Sequence, residues 1–130
     1  MITIDTTVLA RVLMKDNPDE ARAAETLLSS NQCYVPLSVV LELAWVLKSV
    51  YRQERKNQIA ALRSVLAADR LEVERADAVA MALDWTEEGM DFADALHLAS
   101  SPPADRFATF DRAFVRLAAR LHTAIPVSAP

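Results

Sequence analysis

Four carboxylates stand where a strand gives way to a helix or where the surroundings are otherwise apolar: Asp5 after "ITI", Glu42 inside "SVVLELAWVL", Asp94 inside "MDFADALHLASS", and Asp111 after "RFATF". In open α/β sheets, ligands bind beyond the carboxyl ends of the strands, which is where Asp5 and Asp111 fall. Each also suits a helix N-cap, where an aspartate satisfies orphan backbone N–H groups. Asp91 has the same capping reading, with Asp94 three residues later able to reach back as in a capping box. Glu42 needs another account. Val39, Val40, Leu41, Leu43 and Trp45 flank it in mid-helix, and a carboxylate is almost never buried without a partner. Lys48, the nearest cation in sequence, lies about a third of the helix circumference away, so only a distant arginine offers an ordinary ion pair.

If the four acids meet, their repulsion must be relieved by protonation or by a divalent cation. An all-oxygen ligand set without cysteine suits Mg²⁺ or Mn²⁺ rather than zinc. Such a site activates water and stabilises the charge on a phosphodiester under in-line attack. The chemistry implied is phosphate-ester hydrolysis.

Alternating elements must carry these acids. "ITI" is a short β-branched strand running into the helix "TVLARVLM". "NPDEARAAETLLSS" follows, with Asn17 as N-cap, Pro18 at the first helical position and acids in the first turn. "QCYVP" predicts a second strand before "SVVLELAWVLKSVY", a helix apolar on most sides. "NQIAALRSVLAA" is an amphipathic helix, "LEVE" a third strand, and "DAVAMALDW" a helix ending near Gly89, the only glycine. The helix of "MDFADALHLASS" comes next. Then "RFATF" at 106–110 predicts a strand, "DRAFVRLAARL" a helix, and "TAIPV" an edge-like strand because of Pro126. Strands alternating with helices imply βαβ crossovers and a mainly parallel sheet. One α/β domain over residues 1–130 accounts for the chain, without repeats, linkers or low-complexity segments.

Composition narrows the setting. No apolar run approaches the roughly 18–20 residues of a membrane span, and "MITIDTTV" lacks the features of a signal peptide. Cys33 is the only cysteine, which excludes an intrachain disulfide and points to the cytoplasm. A net charge of −4 gives no global pull toward nucleic acid, although local basic patches can still hold phosphates.

In "IDTTVL", "VVLELAWVL", "DFADALHLA" and "FATFDRAF", taken in order from Ile4 to Phe114, the chain resembles the PIN-domain ribonucleases, and within them the VapC-like toxins of bacterial toxin–antitoxin pairs. The resemblance implies a three-layer sandwich with a central, mainly parallel sheet of four to five strands between helices, usually in a homodimer. It carries Asp5, Glu42, Asp94 and Asp111 over as the acids that bind Mg²⁺ or Mn²⁺ for RNA cleavage, with Asp5, Asp94 and Asp111 as metal ligands. Asp91 is then an outer acid or only an N-cap. Thr6 and Thr109 stand beside the acids and either bond water or phosphate there or bond the backbone. Two departures from the family pattern are His97, where many relatives have an aliphatic residue, and "SSPPADR", where a glycine-containing turn is more usual. His97 reads first as a packed core residue and second as a group that orients Asp94 or meets RNA. His122 reads as surface.

Arg112, Arg116 and Arg120 form a basic stripe beginning one residue after Asp111, and "YRQERKN" at 51–57 is a second cluster. Both are RNA-binding candidates and, equally, ordinary solvated faces. The resemblance also implies a VapB-like antitoxin whose flexible C-terminal segment covers the acids, and Trp45, Tyr51 and Trp85 are candidates to line its groove or a dimer interface. A haloacid-dehalogenase-like phosphatase needs a second acid two residues after Asp5, and Thr7 is there instead. Two other readings stay open: a catalytically weak PIN-fold protein acting with a DNA-binding partner in repression, and an RNA-processing nuclease that is not a toxin.

Overall fold

Three short runs of β-branched and apolar residues become parallel strands in the first part of the chain. In the computed structural model, which describes residues 1–130, β1 (Ile2–Thr3), β2 (Cys33–Val35) and β3 (Leu71–Val73) pair in the order β1-β2-β3. Ile2 stands opposite Cys33, and Cys33 opposite Leu71. Parallel neighbours require crossovers rather than hairpins. Helices α1 (Thr6–Met14) and α2 (Pro18–Ser30) supply the first crossover; α3 (Leu37–Ser49) and α4 (Arg55–Ala67) supply the second.

These elements belong to the first of two units into which the chain divides, Met1–Ala76 and Asp77–Pro130. Within it, α1 packs on α2 and α3, and α3 on α4. Cys33 and Val35 share one face of the central strand and are fully buried, while Tyr34 on the other face donates its hydroxyl to Glu74 at 3.2 Å. Val40, Leu43, Ala44 and Leu47 recur at helical spacing and form the buried face of α3. Truncating Leu43 or Leu47 to alanine removes about 2–5 kcal/mol of stability. Asn17 caps α2 by accepting from the Glu20 N–H at 3.1 Å, with Pro18 at the first helical position as expected. Arg11 bonds Glu20 at 2.9 Å and the Tyr51 hydroxyl at 3.1 Å, and that hydroxyl donates to Asp16, so the α1–α2 turn is tied to the end of α3.

The second unit holds most of α5 (Ala76–Glu87), then α6 (Phe92–Ala99), β4 (Phe107–Ala108), α7 (Arg112–Leu121) and β5 (Val127–Ser128). β4 and β5 are parallel, with Phe107 opposite Val127, and α7 is their crossover. The Phe107 and Phe114 rings stack at a tilt, 5.4 Å apart, and anchor α7 beside β4. Gly89, at φ +113°, turns the chain from α5 toward α6 in a conformation that disfavours a side chain. Lys15, Arg52, Arg75 and His122 also take positive φ, between 49° and 54°. Lys15 and His122 close α1 and α7, and each gives its N–H to a carbonyl of the last turn.

All five expected strands form, but hydrogen bonds group them as a sheet of three and a separate pair rather than as one sheet of four to five. Three of them are only two residues long, so each offers few ladder groups through which a sheet could extend. The last strand begins after Pro126, which has no N–H; the proline carbonyl instead accepts from Phe107 N–H at 2.8 Å. No helix is long and apolar enough to cross a membrane.

Candidate active site

In the first unit the acids are met by hydroxyl and amide hydrogens. Asp5 caps α1, accepting from the Thr6 N–H at 2.8 Å, and the Thr7 hydroxyl lies 3.5 Å from its other oxygen. Thr6 is 4% exposed and its hydroxyl donates to Glu42, 36 residues further on. That contact corrects two expectations. Glu42 is exposed rather than buried, because it lies off the face that Val40, Leu43 and Leu47 bury. Its partner is a neutral hydroxyl from α1 rather than an arginine, and Thr6 holds this carboxylate instead of bonding backbone. α3 is correspondingly one-sided: Trp45, expected in a mostly apolar helix, is 61% exposed.

In the second unit the acids act on one another through their charges. Asp91 caps α6 through the Asp94 N–H at 3.2 Å, and Asp111 caps α7 through the Phe114 N–H at 3.1 Å. The capping readings of Asp5, Asp91 and Asp111 are therefore all realised. Asp94 lies in the first turn of α6, half-buried between Phe92, Ala95, Leu96 and Leu98, all buried. Burial pushes its carboxyl above the ordinary value, the charges of Asp91 and Asp111 push it further, and His97 opposes them. His97 is exposed, not packed in a core, because it lies off the face of α6 that Ala95 and Leu98 bury. Its effect on Asp94 is electrostatic. His122 is exposed, as expected.

The turn carrying Asp111 is fixed on both sides. Thr109 N–H bonds the Ser128 carbonyl at 3.0 Å, and the Thr109 hydroxyl accepts from Asp111 N–H at 3.1 Å. Thr109 thus serves the backbone, while Asp111 is exposed at the start of α7. Of the basic stripe, Arg120 is engaged, donating to the Glu88 carbonyl at 2.7 Å near the end of α5. Arg112 and Arg116 are exposed and make no ion pair or hydrogen bond within the chain. Between Thr109 and Arg112, Phe110 is 87% exposed. The β-rich run "RFATF" hid it as the last residue of a strand, yet the strand ends at Ala108.

Hard oxygen donors under like-charge repulsion suit a divalent cation such as Mg²⁺, and Asp94, half-buried and acted on by the charges of Asp91 and Asp111, meets that description. No three Asp, Glu, His or Cys side chains stand together closely enough to hold a metal ion by themselves. Mg²⁺ keeps several waters and binds through one or two carboxylates, so this sparse grouping is compatible with it.

No curated protein matches the chain. The family model of the PIN domain matches residues 2–120.

Proposed function

The chain belongs to the PIN-domain family, whose members are generally nucleases, and from that premise we propose that it is a metal-dependent endoribonuclease acting as the toxin of a toxin–antitoxin pair. The observation that carries the reading is the acidic group of the second unit: Asp94 is half-buried under the charges of Asp91 and Asp111, with only exposed His97 opposing them. A nearby cation relieves that repulsion. In this reading Asp5, Asp94 and Asp111 hold Mg²⁺ or Mn²⁺ in part through water, and Glu42 completes the catalytic acids. A divalent ion, when bound, supplies Lewis-acid polarisation of the phosphodiester and a lower pKa for water.

The side chains of the chain do the positioning. Thr6 fixes the direction of Glu42, the Thr109 turn fixes Asp111, and Arg112 and Arg116 offer cations to the phosphates. The resemblance to VapC-like toxins supports the further parts of the proposal: a single PIN domain over residues 1–130, a homodimer, a cytoplasmic setting, and a VapB-like antitoxin that covers the acids.

Cleavage of RNA in Mg²⁺ or Mn²⁺, against the same reaction in EDTA, tests the reading. Metal-dependent cleavage is expected in the wild type and is lost in Asp5→Asn and Asp94→Asn. Equal cleavage by wild type and Asp94→Asn sinks the mechanism.

A further inference from the structure

Phe110 is the most exposed large apolar side chain in the protein, more so than Met1 at the terminus. Its exposure does not come from a loose loop. The Thr109 N–H is bonded to Ser128, the Asp111 N–H to the Thr109 hydroxyl, and Asp111 caps α7, so the backbone is pinned immediately before and after the ring. The neighbouring phenylalanines behave differently: Phe107 and Phe114 pair with each other inside the unit. A rigid turn thus presents one aromatic ring to solvent, beside a proposed catalytic acid and ahead of two unpaired cations on the first turns of α7.

We infer that Phe110 is a stacking platform for an unpaired nucleobase, with Arg112 and Arg116 holding the phosphates that flank it. The inference deepens the nuclease reading and rests on it for the substrate class: single-stranded nucleic acid, whose bases are free to leave their neighbours. Base–aromatic stacking is sequence-tolerant and draws on the π-face of any base, while a duplex keeps its bases stacked internally. A polyanion is favoured over a protein at this place, since Asp111 next to the ring is a carboxylate given to the proposed metal, and the two unpaired cations that follow on α7 are guanidiniums, which pair with phosphates bidentately. The ring needs only to be flat and fixed, and the pinned turn supplies that.

The test is equilibrium binding of a fluorescein-labelled single-stranded RNA 12-mer, its DNA counterpart and the RNA duplex, in EDTA so that binding is separated from cleavage. Phe110→Ala and Phe110→Leu are expected to weaken single-strand binding about tenfold, and Phe110→Trp to retain it. The slope of log K against log salt should stay unchanged in the Phe110 variants and become shallower by about 0.7 for each of Arg112→Ala and Arg116→Ala. Wild-type affinity in Phe110→Leu overturns the platform, as does an equal dependence on Phe110 for the duplex. Unchanged RNA affinity in Phe110→Ala, accompanied by a smaller species in sedimentation, overturns it too and assigns the ring to a contact between protein copies. Cleavage in Mg²⁺ or Mn²⁺, measured in parallel, separates the two readings. Aromatic-dependent binding without cleavage leaves the platform and removes the nuclease; cleavage with an unaltered KM in Phe110→Leu does the reverse.

Discussion

The acids of the first unit and those of the second are held in opposite ways. Asp5 receives hydrogens from the Thr6 backbone N–H and the Thr7 hydroxyl, and Glu42 from the Thr6 hydroxyl, neutral donors that satisfy a carboxylate without neutralising it. Asp94 is instead partly buried and receives the charges of Asp91 and Asp111. Donated hydrogen bonds fix the direction of a carboxylate, whereas like charges raise its demand for a cation. In the first unit the acids are therefore fixed in direction, and in the second they draw positive charge.

The comparison is broken most severely at Asp94. Asp94→Asn should lower metal-dependent cleavage on the order of 10³-fold, since several kcal/mol of charge stabilisation are at stake and each tenfold is about 1.4 kcal/mol. Asp91→Asn should lose less, and a greater loss there in parallel assays means that the two aspartates have been assigned the wrong way round. The first unit is probed by Thr6→Val, which removes the donor to Glu42. It should cost about 1 kcal/mol in chemical denaturation and lower kcat more than it raises KM. Thr6→Ser should restore kcat, and failure to do so means that the hydroxyl does not direct Glu42.

Asp91→Ala sharpens the picture from the capping side. It should destabilise the protein by about 1 kcal/mol while Asp91→Asn leaves stability nearly unchanged, because asparagine caps as well as aspartate. The smallest effect is on pH dependence. The folded-state pKa of Asp94 lies above its ordinary value of 3.8, so the folded protein binds more protons than the unfolded one as pH rises through that window. The contribution of Asp94 is most favourable below the ordinary pKa and is lost as pH rises through the raised one. In denaturant titrations from about pH 3 to about pH 7, wild type should lose stability relative to Asp94→Asn, by a modest amount because the group is partly solvated. The opposite slope removes the account of Asp94 as a carboxyl raised by burial and like charges.

Local signals in the sequence reached the caps and the order of elements, because these depend on neighbours within one turn. Asn17 with Pro18, and Gly89 beyond α5, are of that kind. The partner of Glu42 was not legible. Thr6 lies 36 residues away, and hydrophobic flanks suggested burial where helical period in fact leaves residue 42 off the packed face. His97 failed for the same reason on α6. Strand grouping was also hidden, since it depends on which very short segments exchange backbone hydrogen bonds, and composition does not record that. Arg120 looked equivalent to Arg112 and Arg116 until the carbonyl of Glu88 was found against it.

The left-handed turns at Lys15, Arg52, Arg75 and His122 bear on the engineering of this protein. All four are basic residue types, and a non-glycine residue in that conformation carries strain on the order of 1 kcal/mol. Near the closing end of a helix a positive charge returns part of that through the helix dipole, as Lys15 can do on α1. Glycine at such a position exchanges electrostatic gain for conformational ease, so the benefit should depend on ionic strength, largest where salt has already screened the charge. With one glycine in 130 residues, the chain has left most of these exchanges unmade.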